Sequence, residues 1–359
     1  MSLVGWIHDR ARQLPLAGKL RNLLSSLKKP VHANRLRRYV EDQRAAHTGP
    51  AVLVMMNTGI GNAVEATPLV QAIRMHWPRA HLTLYDPGGD LFDDWCVADE
   101  ITCYPDPLSG REFDHTFEIW AVDPPVPESE DPPDKGQVHT LPFTGTYFLK
   151  PEREYNLDMI RKLGYRGPAP PLYVSTKEPK REIPRCQRRI SLVPGSKNDF
   201  MWRHKRWPYF GELLHSLLEA YQDLQICIVG GAGDRFEHEH TEDGRVVDLR
   251  SNLTLAESAW ILRHSDLAIG NDCGPMHIAD AVQTCSIILF GPSCELKNGP
   301  LYKSLPLSVP VPCRPCQYGE LLLKCEDPRC MTELLPEMVM DAVRKLLPPN
   351  GPRDEARHE

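Results

Sequence analysis

Between Ala268 and Pro292 the chain reads as strand, sharp turn, helix and strand again, the repeating unit of a layered α/β protein. Ala268 and Ile269 end a buried strand. Gly270 and Gly274 allow a tight turn and close approach of a ligand to the backbone. Pro275 suits a first helical turn, where its missing N–H is not needed. The apolar run from Ser286 to Pro292 supplies the next strand. An anion fits at such a helix start, because the first backbone N–H groups lack helical partners. Asp272 adds an acceptor for hydroxyls, and His277 a titratable group.

The same order recurs on both sides. Ala51 to Met56 is a continuous apolar run, suited to a parallel strand buried on both faces. The turn Asn57-Thr-Gly-Ile-Gly-Asn62 follows, then a helix from Ala63 to Trp77 and a strand from His81 to Tyr85. Phe113 to Trp120 reads as another strand. A second series begins with Arg189 to Val193 and its turn Pro194-Gly-Ser-Lys197. It continues through a helix from Trp207 to Tyr221, a strand from Gln225 to Val229 and the turn Gly230-Gly-Ala-Gly-Asp234. Val246 to Leu249 and a helix from Thr254 to Arg263 come next. This alternation implies an α/β fold of two Rossmann-like, doubly wound domains facing a cleft.

The expected boundaries are a leader at 1–48, an N-terminal domain at 49–180, a C-terminal domain at 181–335, and a closing helix and tail at 336–359. A chain of 359 residues suits two domains. No run of about 18 apolar residues or secretory signal is visible, and the net charge of −6 argues against a general nucleic-acid binder. The leader is different. It holds ten Lys and Arg between His8 and Arg44 against three acids, interleaved with leucines at roughly helical spacing. That reads either as a basic amphipathic helix on a membrane surface or as a solvated helix docked on the body. A cytoplasmic protein, peripheral on the inner face of the membrane, is the expectation. Asp123 to Lys135 is Pro-rich and acidic, as in a surface loop.

The first turn, with Gly59 and Gly61, is a weak dinucleotide fingerprint. It lacks a third glycine, and no clear ribose-binding acid follows the next strand. Gly195, Ser196 and Lys197 offer amides, a hydroxyl and a cation beside a strand end. Lys205 lies just before Arg206-Trp-Pro208 at a helix start. Asp234 lies just past a strand C-terminus, where ribose hydroxyls bind. Ligands of open α/β sheets gather outside strand C-termini, and these elements all fall there.

Gly270, Asp272, Gly274, His277 and Ala279 form a Gly-x-Asp-x-Gly-x-x-His-x-Ala element that resembles the heptosyltransferase family, glycosyltransferase family 9, of GT-B fold. Thr67-Pro68, one turn beyond the first glycine-rich loop, resembles the same family. Cys273 replaces the usual hydroxyl residue. The resemblance implies that Lys205 contacts the nucleotide phosphates and that Asn62 stands where better-known members carry a catalytic Asp. An amide takes no proton at neutral pH, so Glu65, one helical turn on, is the expected base. The alternative for Glu65 is a solvated helix acid, and Asp86, Asp114 and His115 are then the next candidates for the base.

The function implied is inverting transfer of a sugar, such as heptose, from a nucleotide-diphosphate donor to a lipopolysaccharide-core or other glycan acceptor. No cofactor is required for that catalysis. Alternatives are a non-catalytic sugar-nucleotide-binding protein of the same fold and a sugar-nucleotide epimerase. Eleven cysteines without a secretory signal suggest a reducing compartment. Cys313, Cys316, Cys325 and Cys330 have the makings of a tetrahedral zinc or iron site, with free thiols or disulfides as the other readings.

Overall fold

The computed structural model describes residues 49–348, except 57, 87, 104, 105, 120–132, 142–149, 185, 198, 235, 237–241, 300, 301 and 318. The basic leader at 1–48, with its membrane surface, and most of the Pro-rich acidic segment lie outside the described residues. The chain divides into two compact units, one of residues 1–143 with 153–175, the other of 144–152 with 176–359. Among the described residues no helix is long and apolar enough to cross a membrane.

The first unit is a parallel sheet of five strands: β1 (Ala51–Met55), β2 (His81–Tyr85), β3 (Glu100–Thr102), β4 (His115–Glu118) and β5 (Gln137–Thr140), ordered β3-β2-β1-β4-β5. The helix α1 (Ile60–His76) leaves the turn after β1, and α2 (Glu152–Lys162) follows β5. β1 is the central strand, and its Val52, Leu53 and Val54 are fully buried. This is the continuous apolar run that a strand covered on both faces requires.

The helix α1 contains Pro68, which has no N–H to give the Val64 carbonyl one turn back. The neighbouring Thr67 supplies the missing donor: its Oγ1 reaches the Val64 carbonyl at 2.7 Å. The same hydroxyl accepts the Tyr173 amide at 3.0 Å. The Thr-Pro pair is therefore self-repairing, and it ties α1 to the last segment of its unit.

The second unit carries six parallel strands: β6 (Arg188–Val193), β7 (Leu224–Ile228), β8 (Val246–Asp248), β9 (Leu267–Asn271), β10 (Ser286–Leu289) and β11 (Ser304–Leu307). Their order is β11-β10-β9-β6-β7-β8, the doubly wound arrangement. Between them run α3 (Phe210–Ala220), α4 (Leu255–Arg263), α5 (Gly274–Ala281) and α6 (Glu295–Asn298). Beyond β11 come α7 (Glu320–Leu323), α8 (Arg329–Thr332) and α9 (Pro336–Leu346). A capping box starts α4: Thr254 Oγ1 accepts the Glu257 amide at 3.2 Å, and Glu257 accepts the Thr254 amide at 2.9 Å. One apolar core runs from Ile190 and Leu192 through Leu213 and Leu217 to Val339 and Val343, so α9 closes the same layer that α3 begins.

Candidate functional site

The turn after β9 places the densest group of polar side chains. Gly270 must be glycine here. An added Cβ would lie 2.7 Å from the Met276 sulfur and 2.8 Å from Val193 Cβ. That contact sets α5 directly against the sheet. Cys273 caps α5 with extended backbone and no side-chain bond, and Pro275 occupies the first turn. The Cys273 thiol is pushed up to about 12, chiefly by burial and then by the Asp272 charge. It therefore stays protonated. Any role in anion binding falls to the backbone around it.

Asp272 is the centre of the group. Lys205 Nζ lies 2.7 Å from its Oδ2, Asn298 Nδ2 donates to the same oxygen at 3.0 Å, and His277 Nε2 is 3.8 Å from Oδ1. Burial alone would raise this carboxyl. The Lys205 charge, with His277, overrides it and holds Asp272 well below the usual carboxylate range. The residue is only 3% exposed, so it is a fixed internal anion rather than an open acceptor for hydroxyls. Lys205 spends one of its three N–H groups on Asp272 and keeps two that can reach phosphate oxygens. Its ammonium also lies 4.9 Å from the centre of the Trp202 ring, which limits its motion.

A second group is built on the turns after β6 and β7. Asp234 Oδ2 accepts the Gly231 amide at 2.7 Å, and Arg206 stands 3.5 Å from Oδ1. Arg206 also donates to the Ser196 carbonyl at 2.9 Å. Gly195 accommodates this packing, since a Cβ there would meet the Asp234 carboxylate at 2.1 Å. Beside it, Gly231, Ala232, Asp234, Asp248, Arg250 and Asn252 are among the residues lining a polar pocket of about 400 Å³.

Asn271 joins the two groups. It is fully buried. Its Nδ2 donates to the Pro194 and Gly195 carbonyls at 2.7 and 3.2 Å, and its Oδ1 accepts the Trp207 amide at 3.0 Å. Sequence reasoning overlooked Asn271, although it sits inside the quoted element between Gly270 and Asp272. It also overlooked Asn298, which no local pattern marks. Lys197 does not join either group: it is 55% exposed and faces Asp199 at 3.5 Å.

The first unit holds the other expected residues. Gly59 caps α1 with extended backbone, and a side chain there would meet nothing within 4 Å. Gly61 and Asn62 lie in the first turn of α1, and Asn62 Nδ2 donates to Thr58 Oγ1 at 3.0 Å. Glu65 is neither a solvated helix acid nor an open base. It is 2% exposed, its Oε2 lies 3.0 Å from Arg153 Nε, and its Oε1 accepts from the same guanidinium at 3.2 Å. Asn156 donates to its carbonyl at 3.0 Å. A carboxylate committed to a guanidinium is a weak base, so the expected proton transfer has a poor agent in Glu65. Directly after β2 comes Asp86, one of the further candidates for the base, buried at the strand end.

Cys313, Cys316, Cys325 and Cys330 are the expected metal ligands. Among the described residues no three His, Cys, Asp or Glu side chains are placed to hold a metal ion, and all four cysteines are free thiols. Cys330 is buried in the apolar core, which, with the nearby Cys316, pushes its thiol up to about 11. Cys313 is exposed. After burial, Cys313 and Cys325 raise the Cys316 thiol, and both add to the rise at Cys330, so the four sulfurs lie near one another.

Residues 159–326 match the sequence model of glycosyltransferase family 9 (heptosyltransferase). Lipooligosaccharide heptosyltransferase 2 of Campylobacter jejuni subsp. jejuni serotype O:6 is 23% identical over 326 residues, covering 83% of this chain and 99% of that protein. Among solved structures, the E. coli ADP-heptose LPS heptosyltransferase II superposes with a TM-score of 0.60 at 15% identity, over 83% of this chain and 98% of the other. The iron-containing dodecameric glycosyltransferase TibC of enterotoxigenic E. coli gives a TM-score of 0.58 at 14% identity, over 83% and 78%. The likeness in fold is to GT-B enzymes with parallel α/β sheets. The motif after β9, the Thr-Pro pair of α1 and the sequence match agree in one direction: over residues 159–326 this chain is similar to glycosyltransferase family 9.

Proposed function

We propose that this protein is an inverting glycosyltransferase that moves heptose from ADP-heptose to a lipopolysaccharide-core acceptor. The observation that carries the reading is the buried Lys205–Asp272–His277 group at the strand ends of the second unit. A diphosphate leaving group gains negative charge as the bond to the anomeric carbon breaks. Lys205, aimed by Asp272 and Trp202, supplies fixed positive charge for it. The Gly195–Ser196 turn and Asp234 offer amides and a carboxylate for the nucleotide, and the first unit takes the acceptor. A single displacement at the anomeric carbon then inverts its configuration.

The similarity to glycosyltransferase family 9 and to the heptosyltransferases does not favour the non-catalytic and epimerase readings. The reaction is assigned to the cytoplasm, with the basic leader 1–48 as a contact to the inner face of the membrane; its lysines, arginines and interleaved leucines support that assignment. Transfer of heptose from ADP-heptose to deacylated lipooligosaccharide core, followed by mass spectrometry, tests the reading. Lys205→Ala is expected to slow transfer by about 10²–10³-fold, the usual cost of removing a donor to developing charge. Equal rates in both proteins would remove Lys205 from the leaving-group role.

A further inference from the structure

Asn62 stands in the glycine-rich turn where the resemblance implies a catalytic Asp, and an amide takes no proton at neutral pH. A transfer that inverts still needs a group to take the acceptor proton. The charged groups of the sheet can be sorted by edge. Asp114 and His115 lie at the N-terminal ends of β1 and β4, where Asp114 accepts the Ala51 amide at 2.7 Å and His115 Nδ1 meets His139 Nε2 at 3.1 Å. That edge is opposite the one at which ligands of parallel sheets bind. At the C-terminal edge, Glu118 is paired with Lys135 at 2.5 Å, and Glu65 of α1 is paired with Arg153.

Asp86 is different. It follows the last residue of β2 directly, beside the end of β1 from which the glycine-rich turn departs; Met56 there donates its amide to the Tyr85 carbonyl at 2.8 Å. Its backbone N–H donates a hydrogen bond to the Thr102 carbonyl at the end of β3, at 2.9 Å. Its Oδ1 accepts the Gly88 amide at 3.1 Å. Its carboxylate has no cation and no other hydrogen-bond partner among the described residues. The loop is shaped to this carboxylate: a Cβ on Gly88 would lie 2.9 Å from Oδ1, and Gly89 adopts a φ of +117°. The side chain is 5% exposed.

We propose that Asp86 is the general base that takes the proton from the acceptor hydroxyl. The proposal rests on the glycosyltransferase reading above and deepens it. In the step, the acceptor O–H bond breaks and its proton goes to Asp86 Oδ2. The acceptor oxygen bonds to the anomeric carbon as the bond from that carbon to the diphosphate oxygen breaks. The bonding pair leaves with the nucleoside diphosphate, and Asp86 later returns the proton to water.

The surroundings suit a group that must change charge near neutral pH. Burial raises this carboxyl to about 7, the Gly88 amide opposes the rise, and the neighbouring Asp93 adds to it. Burial, then Cys103 and Asp86, raises the Tyr85 phenol, which stays neutral. The ionised form is the base, so the rate rises with pH through about 7 and then levels.

The experiment is Asp86→Asn in the full chain, with ADP-heptose and deacylated lipooligosaccharide core. Asn keeps an acceptor for the Gly88 amide and removes the basicity. The expected result is a fall in kcat of about 10²–10⁴-fold, with unchanged affinity for ADP-heptose by calorimetry and loss of the acidic limb of the pH–rate profile. Partial recovery in Asp86→Glu would support the same role. A kcat within threefold of wild type overturns it. So does a raised acceptor KM at unchanged kcat, which would make Asp86 a hydroxyl ligand instead. If Asp86→Asn does not fold, the wild-type profile decides. A limb with an apparent pKa near 7 supports the base, and a flat rate from about pH 5.5 to 8 overturns it. A wild type that binds ADP-heptose but transfers nothing removes the enzymatic reading itself, and this step with it.

Discussion

Asp272 and Asp86 occupy similar places in the two units. Each is a buried aspartate that directly follows a strand at the ligand-binding edge of a parallel sheet. Their surroundings push them in opposite directions. Asp272 faces Lys205, His277 and the Asn298 amide, and is held far below the usual range against its own burial. Asp86 faces one backbone amide and another acid, and burial wins. The difference teaches that position on the fold does not decide what a carboxylate does. One is a permanent counter-charge that aims a lysine. The other is able to change charge within the physiological range.

The largest test of this contrast removes the permanent anion. Asp272→Ala leaves Lys205 buried without its counter-charge, and loss of one partner of a buried pair typically costs about 3–5 kcal/mol. Denaturant unfolding at neutral pH measures it. The Lys205 ammonium is 13% exposed, so partial solvation puts the expectation at the lower end. A loss below about 1 kcal/mol would show that the pair is no more than a surface contact.

A smaller effect, of opposite sign, is expected at Asp86. Its folded carboxyl is raised from an ordinary 3.8 to about 7, so the folded state binds the proton more tightly than the unfolded chain. Its contribution therefore favours folding at low pH and is lost as pH rises through about 7. Asp272 has the reverse sense: its contribution is present above the unfolded value of 3.8 and is lost as pH falls. Asp86→Asn should gain stability relative to wild type between about pH 4 and 7, by about 2–4 kcal/mol at the upper end. Thermal unfolding across that range reads the divergence. Parallel curves would mean that Asp86 is solvated, and the contrast with Asp272 would disappear.

The smallest effect concerns reactivity rather than stability. Cys313 is exposed and should be alkylated first, whereas Cys330, in the core with its thiol pushed up to about 11, should react last. Timed alkylation with peptide mapping gives the order. Equal protection of all four late cysteines, released by a chelator, would replace the free-thiol assignment with a metal.

Much of the frame was legible because its signals are local. Apolar runs that stop at glycine turns identified β1, β6 and β9, and the Gly-x-Asp-x-Gly-x-x-His pattern located Asp272 and His277 beside Lys205. What escaped depends on partners distant in sequence. Glu65 is diverted by Arg153, which lies 88 residues away. Asn271 works through Pro194 and Trp207, and Asn298 reaches Asp272 across 26 residues. The Cys313-to-Cys330 spacing suggests a ligand set and carries no information about burial. Asp86 stood beside Asp114 and His115 as a further candidate for the base, because a sequence does not show which acids are paired with cations.

Asn271 has a consequence for how this site can change. Its single amide fixes the carbonyls before the 196–206 segment and the Trp207 amide after it. That segment is therefore a loop with both ends clamped to one side chain. Lengthening a clamped loop costs little, about 0.6 kcal/mol for each doubling. Lys205, two residues before the clamp, would keep its place while the middle of the loop is rewritten. Insertions in the middle of that segment should therefore leave the Lys205–Asp272 contact in place.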